Sequence, residues 1–154
     1  MNAIAYLAEH ASEAEVRAAI VAEAHLWLRT PYHHRGRVRG VGVDCAMLLA
    51  EVYERVGLVP HIDAEYVPDW HMHRDRERYL EFLERYADEV PVPAPGDAAV
   101  WRFGRTFSHG AIVIDGHQVI HAHRGRPVEI ASMEETYLAS RPVRFFSLWS
   151  RHGW

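Results

Sequence analysis

The hydrophobic periodicity of this chain changes once, at Val90-Pro91-Val92-Pro93-Ala94-Pro95-Gly96, and that change decides the fold class. Before it, apolar residues recur at spacings of three and four, the period of a helix; beyond it they fall in short β-branched and aromatic runs. The proline-rich connector is stiff and too short to separate domains, so it swings the chain from helices into a sheet. Helices first and strands after predict an α+β fold, with N-terminal helices packed on an antiparallel sheet or small barrel. A length of 154 residues suits one domain, with 1–29 as a helical segment and 30–149 as the core.

Ser12-Glu13-Ala14-Glu15 has the form of a capping box. A helix is expected from there to about Leu28, with Ile20, Ala24 and Trp27 or Leu28 inward, and Pro31 ends it. A second helix begins near Cys45, with Cys45, Leu48, Leu49, Val52, Tyr53 and Val56 on one face and Gly57 as its cap. Residues 60–69 read as irregular. A third helix, Asp75 to Tyr86, has Tyr79, Leu80, Leu83 and Tyr86 as its inner stripe. Strands are expected at Ala98–Phe103, His109–Ile114, Gln118–His123, Val128–Ala131 and Val143–Trp149, with a helical turn at Glu134–Ala139.

Asp115-Gly116 signals a hairpin, and its register decides which histidines meet. A strict two-residue loop pairs Ile114 with His117 and sends His109 and His121 to opposite faces. A three-residue loop pairs Ile114 with Gln118 and puts His109, His121 and His123 on one face, His109 diagonal to His121. The trio then suits a base with its orienting partner, a zinc triad, or plain sheet residues.

Composition narrows the chemistry. A net charge of −4 gives no global attraction to nucleic acid. One cysteine excludes a disulfide framework and an all-cysteine metal site. No stretch is apolar enough to insert in a membrane, and Glu9, Glu13, Glu15 and Arg17 interrupt any signal-peptide pattern, so synthesis in the cytoplasm is expected. The lone cysteine follows Gly42-Val43-Asp44 at a helix start, where free N–H groups and the dipole favour a thiolate and would lower its pKa. The plain alternative is a buried structural cysteine. Upstream, the loop from Thr30 to Gly40 carries Arg35, Arg37 and Arg39 without an acid, and is either a carboxylate- or phosphate-recognising rim or a solvated turn. Trp70, His71 and His73 either rim a cleft or pack.

Four segments in order resemble the NlpC/P60 cysteine peptidases. They are Thr30-Pro31-Tyr32 with Gly42-Val43-Asp44-Cys45, then Pro95-Gly96-Asp97, then Ser108-His109-Gly110-Ala111-Ile112-Val113, then Val119-Ile120-His121-Ala122. The resemblance implies a papain-like fold with the cysteine helix packed on the sheet. It implies hydrolysis of peptidoglycan stem peptides, commonly between D-γ-glutamyl and a diamino acid, with no metal or other cofactor. By position, Cys45 is the nucleophile, His109 the base and His121 the orienting residue, preferred over His123. Tyr32 and Asp44 match substrate-side positions, and Arg35 and Arg37 would hold acidic stem-peptide groups. The insert with Tyr66, Asp69 and Trp70 is similar to the phage and prophage tail-assembly branch, which implies other tail proteins as partners and a place in the virion tail. Ala46-Met47 stands where many members have Ser-Gly, which bears on substrate preference and supports a rival: a structural tail-assembly component that cuts slowly or not at all.

Overall fold

The computed structural model describes residues 10–63 and 77–149. Tyr66, Asp69, Trp70, His71, His73 and the first two positions of the helix expected from Asp75 lie outside the described residues.

Helix α1 (Glu13–Leu26) starts where the capping box places it: the Glu15 N–H donates to Ser12 Oγ at 3.2 Å. Glu15 returns only as far as the Ser12 hydroxyl, which donates to it at 3.0 Å. The helix ends two residues before the expected Leu28, and Trp27 is wholly buried just past that end. The loop that follows, expected to be irregular, contains a small antiparallel pair, β1 (Arg37–Val38) and β2 (Gly42–Val43). Helix α2 (Cys45–Val56) follows at once, and Gly57 closes it at φ 87°, a left-handed cap that glycine adopts without strain. Helix α3 (Arg78–Tyr86) leads directly into β3 (Asp88–Val90), a strand not expected from the sequence that ends at the first residue of the proline-rich connector.

The remaining strands are β4 (Ala98–Phe103), β5 (Thr106–Val113), β6 (Gln118–His121), β7 (Glu129–Ser132) and, after the short helix α4 (Thr136–Ala139), β8 (Val143–Ser147). They form one six-stranded sheet in the order β3-β8-β4-β5-β6-β7, antiparallel at every pairing. The fold is therefore α+β, with helices on an antiparallel sheet. The period-two alternation splits the strand residues between two cores. Ala98, Val100, Ile112 and Ile120 face α1, α2 and α3, while Ala99, Trp101, Ala111, Val113 and Val119 face Leu138 of α4. A strand buried on both faces explains why β4 shows no alternation in exposure.

One clamp ties the helices to the sheet. Arg17 of α1 donates to Asp97 at 2.7 Å and to the Pro95 carbonyl at 3.0 Å, and the Tyr53 hydroxyl of α2 donates to the Gly96 carbonyl at 2.9 Å. Pro95-Gly96-Asp97 is thus a structural joint. Gly96 sits at φ 89° with Ile20 and the Arg17 carbonyl close by, so a side chain there would be both strained and crowded. Among the described residues no helix is long and apolar enough to cross a membrane.

Candidate active site

Cys45 is the first residue of α2, and Asp44 is its N-cap. The Asp44 carboxylate is buried and occupied on both oxygens: Oδ1 accepts from the Met47 N–H at 2.9 Å and Oδ2 from the Arg35 N–H at 2.7 Å. Asp44 therefore fixes the cysteine turn and the loop before it, and its oxygens do not face open solvent. Losing such a cap typically costs about 1 kcal/mol, and more where the carboxylate joins two segments.

The hairpin adopts the three-residue loop. Ile112 pairs with Ile120 and Val113 with Val119, and the Ile114 N–H donates to the Gln118 carbonyl at 2.9 Å. Asp115 Oδ1 accepts from the N–H groups of His117 and Gln118, which locks the turn. His109 and His121 consequently share a face, and His109 Nε2 and His121 Nδ1 share a hydrogen bond at 2.8 Å. His121 is completely buried and His109 nearly so.

Strand β5 runs past the end of β6, and the cysteine occupies the edge so left. Its thiol donates to the Ser108 carbonyl at 3.5 Å, and the Gly110 N–H also faces the sulfur, so Cys45 lies against the main chain on both sides of His109. Among the described residues Cys45 and His109 form no side-chain hydrogen bond. Such catalytic contacts commonly tighten only with substrate in place. Since His109 Nε2 is engaged by His121, Nδ1 is the nitrogen left for the thiol.

The electrostatics correct one expectation. The N–H groups of Cys45 and Ala46 at the helix start do favour the thiolate, but burial outweighs them, and with the Asp44 carboxylate pushes the half-buried Cys45 thiol up to about 12. His109 is held well below the ordinary imidazole range, first by burial and then by His121, His123 and Arg141. Burial, then His123, lowers His121 to about 4. Both shifts favour a neutral thiol beside a neutral imidazole over a thiolate–imidazolium pair, against the lowered cysteine pKa expected from the helix start.

The other residues singled out in the sequence divide. Tyr32 lies close enough to Cys45 and Asp44 for their charges to act with burial in raising its phenol to about 12, and Arg124 hydrogen-bonds to it. Arg35 contributes its main chain to Asp44 while its side chain is exposed, at φ 62°. Arg37 donates to Glu51 at 2.7 Å and to the Ile62 carbonyl at 2.6 Å, tying the loop to the flank of α2. Met47, which offered either a narrowed cleft or core packing, is buried in the core. His109, His121 and His123 do not bring three ligand atoms within 4.8 Å of one another; among the described residues the group that does is Glu51, Glu54 and His61, two carboxylates, both ion-paired with Arg37, and an imidazole.

Three contributors were given no role at this site by the sequence. The Tyr79 hydroxyl of α3 donates to the Cys45 carbonyl at 3.2 Å. Gly110 makes room for it: a Cβ there would lie 2.0 Å from Tyr79 Oη. Gly110→Ala is therefore expected to displace a buried phenol, break its bond to Cys45 and destabilise the protein by about 1–3 kcal/mol. The check is a melting temperature lower by roughly 2–12 °C, given about 2–4 °C per kcal/mol at this size. The third contributor is Tyr137, whose hydroxyl lies 3.3 Å from His121 Nε2.

Comparison with known proteins agrees with this α+β fold. A sequence model of the NlpC/P60 family matches residues 29–147. No match was found among curated proteins. Among solved structures, the NlpC/p60 domain of the peptidoglycan hydrolase SagA superposes with a TM-score of 0.61 at 27% identity, covering 83% of this chain and 96% of that one. A Staphylococcus aureus protein described as similar to lipoprotein, NLP/P60 family, has a TM-score of 0.63 at 19% identity, covering 86% of this chain and 42% of that one. RipD from Mycobacterium tuberculosis, described as a non-catalytic NlpC/p60 domain protein adapted to peptidoglycan binding, has a TM-score of 0.55 at 13% identity, covering 86% of this chain and 97% of that one.

Proposed function

Because the chain belongs to the NlpC/P60 family, we propose that it is a cysteine hydrolase of peptidoglycan stem peptides, with Cys45 as nucleophile, His109 as base and His121 as the residue that orients it. The observation that carries this is the 2.8 Å bond between His109 Nε2 and His121 Nδ1, with Cys45 seated against the main chain flanking His109. SagA, a peptidoglycan hydrolase by description, supports the substrate class.

With the shifts of both groups favouring a neutral pair, attack and proton transfer belong to one step. His109 Nδ1 takes the thiol proton as sulfur bonds to the amide carbonyl carbon. The oxygen gathers negative charge facing the Cys45 N–H at the helix start. The imidazolium returns the proton to the departing amine as the C–N bond breaks, leaving a thioester. Water, deprotonated by His109, then releases the acid and restores the thiol. The bond between D-γ-glutamyl and a diamino acid is the proposed target, and Tyr32, beside Cys45, the substrate-side residue. Arg35 remains a candidate for stem-peptide carboxylates. Attachment to a phage tail is proposed on the insert with Tyr66, Asp69 and Trp70 alone.

The test is digestion of defined stem peptides and purified sacculi, read by mass spectrometry beside Cys45→Ala. A product that disappears in the variant is expected, and its mass identifies the bond. No product from folded, reduced protein would favour a non-catalytic role, for which Ala46-Met47 and a non-catalytic relative such as RipD are the supporting observations.

A further inference from the structure

The geometry points to Tyr137 as a positioning residue that sets which nitrogen of His109 is free to act as base. This inference rests on the proposed roles of Cys45 and His109. The three groups form one chain: Tyr137 Oη lies 3.3 Å from His121 Nε2, and His121 Nδ1 lies 2.8 Å from His109 Nε2. Each neutral imidazole carries one proton, and one proton lies in the bond between the rings. Two arrangements satisfy this. With the proton on His109 Nε2, His109 Nδ1 is bare and can take the thiol proton; His121 then carries its own proton on Nε2 and donates it to the Tyr137 hydroxyl. With the proton on His121 Nδ1, His109 must be protonated on Nδ1 and is useless as a base; His121 Nε2 is then bare and accepts from the phenol.

The choice falls to the direction of the Tyr137 O–H. The phenol is the outer end of the chain, half-buried, in the field of the Glu135 and Glu129 carboxylates and of Arg126, which donates to Glu129 at 3.0 Å. With Glu129 offset by Arg126, Glu135 is the larger anionic influence; it attracts the O–H dipole and leaves an oxygen lone pair for His121. The phenol thus accepts from His121, and the competent tautomer of His109 follows two bonds away. Position and orientation of Tyr137 are fixed independently: Leu138 beside it is wholly buried, the Arg141 guanidinium donates to the Tyr137 carbonyl at 2.9 Å, and its ring lies 24° from parallel with His121 at 6.3 Å.

The experiment is long-range proton–nitrogen NMR of histidine-labelled full-length protein, wild type and Tyr137→Phe, which reads imidazole tautomers directly and needs no substrate. In the wild type His109 and His121 are expected to be protonated on Nε2. In Tyr137→Phe the bias is expected to fall away, with both His109 tautomers populated, and stem-peptide turnover to drop about tenfold in kcat with KM unchanged, the loss of one buried hydrogen bond. Retention of the wild-type tautomer in a folded Tyr137→Phe overturns the inference. So does a wild-type His109 protonated on Nδ1, which requires no variant. A wild type that shows the tautomer and its dependence on Tyr137 but cuts no sacculi would leave the positioning role standing and remove the hydrolase.

Discussion

Replacing His109 with glutamine is expected to slow amide cleavage at pH 7 by about a thousandfold, within the range of roughly 10²–10⁴ that a positioned base contributes. The expectation is strict here because Cys45 is not pre-ionised. Its thiol is pushed up to about 12, so the thiolate fraction at neutral pH is far below that of a free cysteine, and only a neighbouring base makes attack practicable. Glutamine keeps a polar side chain for His121 but takes no proton. The pH dependence separates this from a simple structural loss. A lowered His109 pKa means the base stays unprotonated well below its ordinary 6.5, so wild-type kcat/KM should hold on the acid side of neutrality. The variant, relying on ionised thiol alone, should gain about tenfold per pH unit toward alkali. Iodoacetamide labelling of Cys45 in the variant should follow the same rise and be slow at pH 6. Rapid, pH-independent labelling there would show a thiolate the environment does not favour.

The second large effect is on stability in acid. His121 is wholly buried and neutral, with burial lowering it to about 4 from an ordinary 6.5. Once unfolded it takes a proton as pH falls through 6.5, while in the folded protein it resists until about 4. The unfolded state therefore binds more protons across that window, and stability is full above pH 6.5 and lost progressively as pH approaches 4. The shift corresponds to roughly 3 kcal/mol, shared with His109 because the two rings titrate together. Urea midpoints at pH 7.5 and pH 4 check it, and a His121→Asn variant isolates it from the carboxylates. Asparagine should be the weaker protein at neutral pH and lose less on acidification. An equal acid loss in both would assign the effect elsewhere.

How far the sequence carried depends on the range of the interaction concerned. Local signals were legible: Ser12 as cap, Gly57 as stop, the α2 stripe, and β4 to the residue. The hairpin left two registers open, because Asp115-Gly116 fits both; the structure decides through Asp115 holding the N–H groups of His117 and Gln118. The partners of Arg37 were not legible, because nothing in the composition of its loop shows that it meets Glu51 and the Ile62 carbonyl. The cysteine misled for a related reason. Its helix start was legible, and its N–H groups do act as expected, but the burial that outweighs them comes from the surrounding core. Tyr79, Gly110 and Tyr137 are long-range partners, and spacing along the chain carries no trace of which carbonyl or ring each one reaches.

The joint at Pro95-Gly96-Asp97 has a bearing on where this molecule can be cut. The family match begins at residue 29, so a trim to the shared region removes α1 entirely. Yet Arg17 on α1 is the cation that Asp97 meets, and Val16, Ile20, Ala24 and Trp27 belong to the same core as the cysteine helix. Such a trim would leave a carboxylate without its counter-ion and bare the apolar face under the nucleophile. The span of the family match is thus narrower than what this chain needs in order to hold its shape, and α1 is an internal brace.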